Sequence, residues 1–276
     1  MTTTTVPARP QNKGDLNRAV MYEWIRLRTL RSSKWAAGWI VGLSLLFGLS
    51  LGMDVRGLPD GSGIGADLAL QNLNIAAEFT GIPLLGLVAG ILGILSMTHE
   101  HRYATIRPVF VAVPRRTDVL LAKTSVLSCA AAVLTCISVA VILLTATAVS
   151  GGRLVTAAPP FGDLFLAVLP YPGVVVLCAV AGLALGALTR STALALALWL
   201  VVPLIGETAV FVAFHAVDAL DPVKGLANWL PFRSAQKSVA SSDFDLMPRL
   251  AGLAAFAGWV GCLASASLRA VLRRDV

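Results

Sequence analysis

Six stretches of about 20 apolar residues constrain this chain more than any other feature. They fall at roughly 35–53, 79–98, 124–149, 164–188, 192–214 and 250–268 of the 276 residues, and Glu207 is the one formal charge inside them. At 1.5 Å per residue, each is long enough to cross the hydrocarbon layer of a bilayer as a helix. Composition agrees, with 57% of residues apolar and 13% charged, against about 45–50% and about 25% in soluble domains. A single water-soluble core, a disordered chain, a coiled coil and a disulfide scaffold are thereby excluded. Cys129, Cys136, Cys178 and Cys262 all lie within apolar runs, which does not suit a secreted disulfide framework. The first stretch follows a polar, basic segment with no small-residue cleavage site, so it reads as a span and not a signal peptide. Residues 1–14 read as a disordered cytoplasmic leader. Residues 15–276 read as one all-α, six-helix transmembrane domain.

Charge gives the orientation. Of the 22 Lys and Arg residues, sixteen lie before the first span, in the second-to-third and fourth-to-fifth connections, and in the tail. The acidic residues concentrate on the other side. The positive-inside rule then predicts a multi-pass plasma-membrane protein with both termini in the cytoplasm. The net charge of +7 is an orientation signal and implies no nucleic-acid partner. The fourth and fifth spans are joined by Thr189-Arg190-Ser191 alone, and Pro170 and Pro172 are expected to kink or break the fourth.

Residues 16–34 predict an amphipathic helix lying in the membrane interface. Leu16, Ala19, Val20, Trp24, Leu27 and Leu30 share one arc of the helical wheel, and Arg18, Arg26 and Arg28 lie off it, where they can reach anionic lipid. Glu23 falls within the apolar arc and needs a partner. Arg26 at i+3 is the expected one, and a contact with another segment is the alternative. In the loop 99–123, Ile106, Val109, Phe110 and Val111 are too apolar for free solvation and imply docking onto a soluble partner or the membrane surface. His99, Glu100 and His101 are adjacent, so they diverge on a helix by about 100° and form no HExxH pattern. No metal site is expected.

An ionisable group at the depth of Glu207 costs about 2.5–3.5 kcal/mol on insertion scales, so it should face protein or water. Two readings stay open. One is a substrate-pathway or proton-coupling carboxylate; the other is a buried side chain bonded to Thr208 or to the next helix. His215 is a candidate partner, and Pro203 with Gly206 is expected to bend the helix. Gly38/Gly42, Gly48/Gly52, Gly86/Gly90 and Gly182/Gly186 repeat at four-residue spacing, a pattern that allows close helix contact. The second span, with Gly93 added, is the best candidate for tight packing. Cys129 and Cys136 share a face and are expected in the core. In the loop 215–249, Trp229, Leu230, Pro231 and Phe232 predict short helices dipping back toward the membrane, or a cap over an outer opening.

The chain has no G-x-x-x-x-G-K-[ST] loop, GxGxxG fingerprint, serine elbow or zinc motif, so it is not expected to be an enzyme or to bind a cofactor of its own. Three segments resemble the membrane permease subunits of type-2 ATP-binding-cassette transporters, in the style common in actinobacteria. They are Glu23–Trp35 (EWIRLRTLRSSKW); Glu100–Lys123, with EHRYATIR, VPRR and LLAK; and WLPF followed by the ending Arg273-Arg274-Asp275-Val276. The resemblance implies that two permeases pair and sit on two separate ATPase subunits, which use ATP and Mg. It also implies a coupling element seated in an ATPase groove, carried by Glu100, Arg102, Tyr103, Thr105, Arg107, Pro114, Arg115 and Arg116, with the Glu23 helix bracing it. Re-entrant helices around Trp229, Pro231 and Phe232 would stand at the exit. Such permeases usually export lipids, drugs, antibiotics or polymers, and the few polar groups in these spans suit a hydrophobic or amphipathic cargo. An ion-coupled carrier centred on Glu207 and a non-transporting membrane anchor are the alternatives.

Overall fold

The computed structural model describes residues 14–29, 31–57, 64–73, 77–102, 116–154, 168–239 and 246–273. All regular structure among them is helical. A helix α1 (Gly14–Thr29) precedes α2 (Arg31–Arg56). Two short helices, α3 (Ile64–Leu73) and α4 (Ala77–Thr80), lead into α5 (Leu84–Arg102). The long α6 (Arg116–Val149) and α7 (Pro170–Thr189) follow. The next membrane helix is composite: α8 (Thr192–Val201), a π turn (Val202–Gly206) and α9 (Glu207–Ala216). A 3₁₀ segment (Asp218–Trp229), α10 (Pro231–Val239) and α11 (Leu246–Arg273) complete the chain.

Among the described residues, five helices are long and apolar enough to cross a membrane: Lys34–Arg56, Thr117–Val149, Pro170–Thr189, Thr192–Ala216 and Leu246–Arg273. Leu84–His99 is a shorter apolar helix. The expected second span, 79–98, is therefore cut back at its start. Gly81 sits at φ 72°, a left-handed conformation that ends α4, and Pro83 follows after Ile82. A β-carbon on Gly81 would lie 2.7 Å from the Phe232 carbonyl oxygen, so this turn is also a packing surface. Among the described residues, the expected stretch 164–188 is a continuous helix only from Pro170, after a turn at Leu169, and Pro172 sits in the first turn of that helix. Pro170 begins α7, where its missing N–H costs no hydrogen bond. Arg190, at φ 54°, ends α7, and the Ser191 side chain accepts from Leu194 N–H to cap α8.

Small residues set the closest helix pair. A β-carbon on Gly182 would overlap the Gly90 carbonyl oxygen, and one on Gly93 would overlap that of Ala179. Backbone against backbone at this range is open only to glycine, so α5 and α7 form the centre of the bundle. Gly48 and Gly52 seat α2 against Thr145 and Val149 of α6, with β-carbons that would fall 2.7 Å from theirs. Gly38 and Gly42 face open space, so that pair makes no such contact. Cys129 and Cys136 do share a face, but it is the exposed one. The expectation of core packing fails for them because α6 buries only a narrow stripe against α2. Cys178 is the fully buried cysteine.

Candidate functional site

Two clusters hold the charged and aromatic landmarks, one at the end of the bundle that carries α1 and one around Glu207 and Phe232. At the end that carries α1, the face of α1 with Ala19 and Glu23 packs on Val119, Ala122 and Lys123 of α6. Glu23 is 6% exposed and Lys123 2%. The Lys123 ammonium donates to Glu23 Oε1 at 2.8 Å across 100 residues of sequence. Arg26 reaches Glu23 Oε2 at 3.4 Å and donates to the Ser96 carbonyl of α5 at 3.5 Å. The expected Arg26 pairing is thus present but is the longer of two. The buried bond runs to another helix, and α1 is clamped to α6 and α5 together. The rest of α1 stays outward, with Met21, Tyr22, Trp24 and Ile25 exposed beside Arg18 and Arg28. An outward face that mixes apolar and basic side chains is suited to an interface.

A buried pair of this kind is far costlier to break than to replace. Lys123→Met alone should lower stability by about 3 kcal/mol, and Glu23→Leu/Lys123→Met should recover most of that loss. Thermal unfolding of the purified chain in detergent measures both. A single and a double variant of equal stability would remove the pair from this role.

The second cluster forms where the chain turns back after the fifth span. That span buries only a thin stripe of itself, Ala195, Trp199, Pro203 and Glu207, at four-residue steps. Pro203 has no N–H to continue the ladder, and the backbone relaxes into a π turn that Glu207 N–H closes on the Val202 carbonyl. The bend expected at Pro203 and Gly206 takes this form. One extra residue in a turn rotates everything beyond it by roughly 100°, which brings Glu207 onto the buried stripe.

Facing it is the tip of the re-entrant segment. The Trp229 carbonyl accepts from Trp259 Nε1 at 2.9 Å, and Trp259 lies midway along the 28-residue α11. The 3₁₀ segment therefore ends beside the middle of α11, and α10 packs along α11 from there, with Gly252 against Ser234 and Ser238. Pro231 opens α10, and Ser234 N–H closes its first turn on the Leu230 carbonyl at 2.8 Å. Leu230 has no side-chain oxygen with which to cap the free amides of Phe232 and Arg233. Glu207 supplies both: Oε1 accepts from Phe232 N–H at 2.8 Å and Oε2 from Arg233 N–H at 3.0 Å. Carboxylate and helix N-terminus are complementary in charge, and each satisfies a group that hydrocarbon could not.

The surroundings fix this cap. The Phe232 ring is buried, edge-on to Trp199 at 5.6 Å between centroids and 6.4 Å from Phe256. Trp199 also covers Gly90 and donates to the Leu87 carbonyl at 3.2 Å. The Arg233 guanidinium sits 4.2 Å over the Phe211 ring, and the Lys237 ammonium 4.3 Å over Trp229. His215 is not a partner of Glu207; its ring stacks on Phe211 and bonds the Phe211 carbonyl. Glu207 thus bonds the next helical segment, the second of the two sites allowed for a buried carboxylate.

Among the coupling residues expected from the loop, Tyr103, Thr105, Arg107, Pro114 and Arg115 lie outside the described residues. Glu100 and Arg102 are in the last turn of α5, and Arg116 begins α6. No group of three His, Cys, Asp or Glu able to hold a metal occurs among the described residues. Sequence reasoning passed over Lys123, Trp199 and Arg233 as site residues. For Lys123 a signal existed: it is a cation directly abutting the apolar stretch that begins at 124, and Glu23 is a carboxylate misplaced on an apolar arc. Two stray opposite charges are each other's natural partners.

A bundle that is all-helical among the described residues, with five helices long and apolar enough to cross a membrane, fits a multi-pass membrane protein. The sequence matches the ABC-2 family transporter protein family over residues 35–206, and the chain belongs to that family as a permease. The match runs from α2 through the π turn. Comparison with curated proteins finds no match.

Proposed function

We propose that this permease pairs with a second copy or a homologous permease and is driven by separate ABC ATPase subunits that use ATP and Mg. Together they export a hydrophobic or amphipathic substrate across the plasma membrane, with both termini of this chain in the cytoplasm. The observation that carries the reading is the Glu23–Lys123 clamp. It ties α1 to the start of α6 and, through Arg26, to the end of α5. Those two ends flank residues 103–115, the segment expected to seat in an ATPase groove. A docked ATPase would then act on a braced unit and not on a free loop.

Charge reversal at the base of the loop tests this. Glu100→Arg and Arg102→Glu should each reduce the ATPase subunit recovered with the tagged permease by about tenfold, the loss of one or two close charge pairs. The isolated chain should hydrolyse no ATP. Undiminished recovery with both reversals would overturn the coupling assignment.

A further inference from the structure

Beneath the clamp, α1, α2, α5, α6 and α7 bound a cavity of about 170 Å³. Alanine accounts for the space. Ala36 and Ala37 of α2, Ala89 of α5, Ala130 and Ala131 of α6 and Ala179 of α7 all line it, and four helices that meet on methyl groups leave room that larger side chains would fill. The rest of the wall is Leu, Ile and Val, apart from Glu23, Arg26, Ser96, His99, Lys123 and Thr135. The charges among these are engaged within the protein. Glu23 is taken up by Lys123 and Arg26, and Arg26 also reaches the Ser96 carbonyl. The hydroxyls of Ser96 and Thr135 donate to the Gly93 and Ala131 carbonyls of their own helices at 2.8 Å and 2.7 Å. The cavity therefore does not select an ion. A cavity of roughly 150 Å³ with Leu and Ile walls stays dry and takes up benzene or xenon. This one is of that size, with room for one ring and too little for the acyl chain of a lipid. Wall atoms that touch nothing forfeit dispersion energy, and an apolar occupant restores it. The cavity is not sealed, since Ala36 and Ala37 of α2 and Leu92 and Leu95 of α5 stay partly exposed.

We propose that this cavity binds one uncharged apolar molecule of single-ring size, which reaches it from the hydrocarbon layer between α2 and α5. Its walls come from five helices and include both partners of the clamp. A bound ligand therefore favours the state in which α1 is docked on α6. This site does not depend on the direction of transport or on the ATPase.

Photolabelling of the full chain in phosphatidylcholine nanodiscs tests it, with phenyldiazirine as the probe, toluene as the competitor and adducts located by peptide mass spectrometry. Both compounds also dissolve in lipid, so Leu144 serves as the reference. It stands on α6, is 68% exposed and meets the probe from the bilayer. Adducts on Leu127, Ala130 and Leu134 should saturate as the probe is raised. Toluene at about ten times its own dissociation constant should cut them about tenfold. Adducts on Leu144 should rise in proportion to the probe and ignore toluene. Ala130→Phe places a ring of the chain's own in the space and should lower the saturable adducts on Leu127 and Leu134 by at least about tenfold. The competition in the wild-type chain needs no variant to fold. Cavity adducts that rise in proportion and ignore toluene, as those on Leu144 do, would overturn the site. Saturable adducts that persist undiminished in Ala130→Phe would overturn its assignment to this cavity.

Discussion

Glu207→Ala is expected to destabilise the protein by about 3 kcal/mol, because it leaves the buried Phe232 amide and the half-buried Arg233 amide without an acceptor. Glu207→Gln keeps one acceptor oxygen and should lose only about 1 kcal/mol. Tryptophan-monitored unfolding in detergent gives the order wild type, Gln, Ala. Limited proteolysis should show α10 cut sooner in the Ala variant. The contrast separates two roles for the carboxylate. A proton-coupling group would make Gln as damaging to transport as Ala and leave stability untouched. A cap makes Ala far worse than Gln and shows it in the unfolding curve. Here both oxygens are already taken by Phe232 and Arg233, the arrangement of a cap. Equal stability of wild type and Ala would sink it.

The largest effect is expected at Gly182. A β-carbon there would overlap the Gly90 carbonyl oxygen, and no rotamer change can relieve a clash with backbone. Gly182→Val should therefore cost about 3 kcal/mol or more and abolish the monodisperse peak of the detergent-solubilised chain on size exclusion. Gly38→Val is the matched control. A β-carbon at Gly38 meets nothing within 4 Å, so that variant should elute as wild type does. Similar behaviour of the two would show that α5 and α7 are not the packing centre.

The spans were legible because twenty apolar residues in a row have few alternatives, and α6 and α8 contain the predicted stretches 124–149 and 192–214 in whole or in part. The start of the second span was not legible. Hydropathy sums over Gly81 and Pro83 without seeing that one turns left-handed and the other cannot donate. Helical periodicity offers only partners at i+3 and i+4, so it found Arg26 for Glu23 and could not reach Lys123. The same periodicity assumes an unbroken 3.6-residue repeat, and the π turn at Pro203 spoils it just before Glu207. That Glu207 must be sheltered followed from the cost of a carboxylate in hydrocarbon; which group sheltered it depended on a chain reversal some 25 residues later. Cys129 and Cys136 show a further limit. In a membrane bundle an apolar face carries no label saying whether lipid or protein covers it.

The clamp on α1 also decides how force would travel. α1 is covalently continuous with α2, yet its buried charge pair and apolar face engage α6, and Arg26 reaches α5. A displacement of α1 is therefore delivered to two helices distant in sequence as well as to α2, the next helix along the chain. α5 in turn lies backbone to backbone on α7 and under Trp199, which touches the Phe232 tip. A side-chain route therefore leads from α1 through α5 and Trp199 to Phe232. It runs through side chains and close-packed glycines, and not along any single helix.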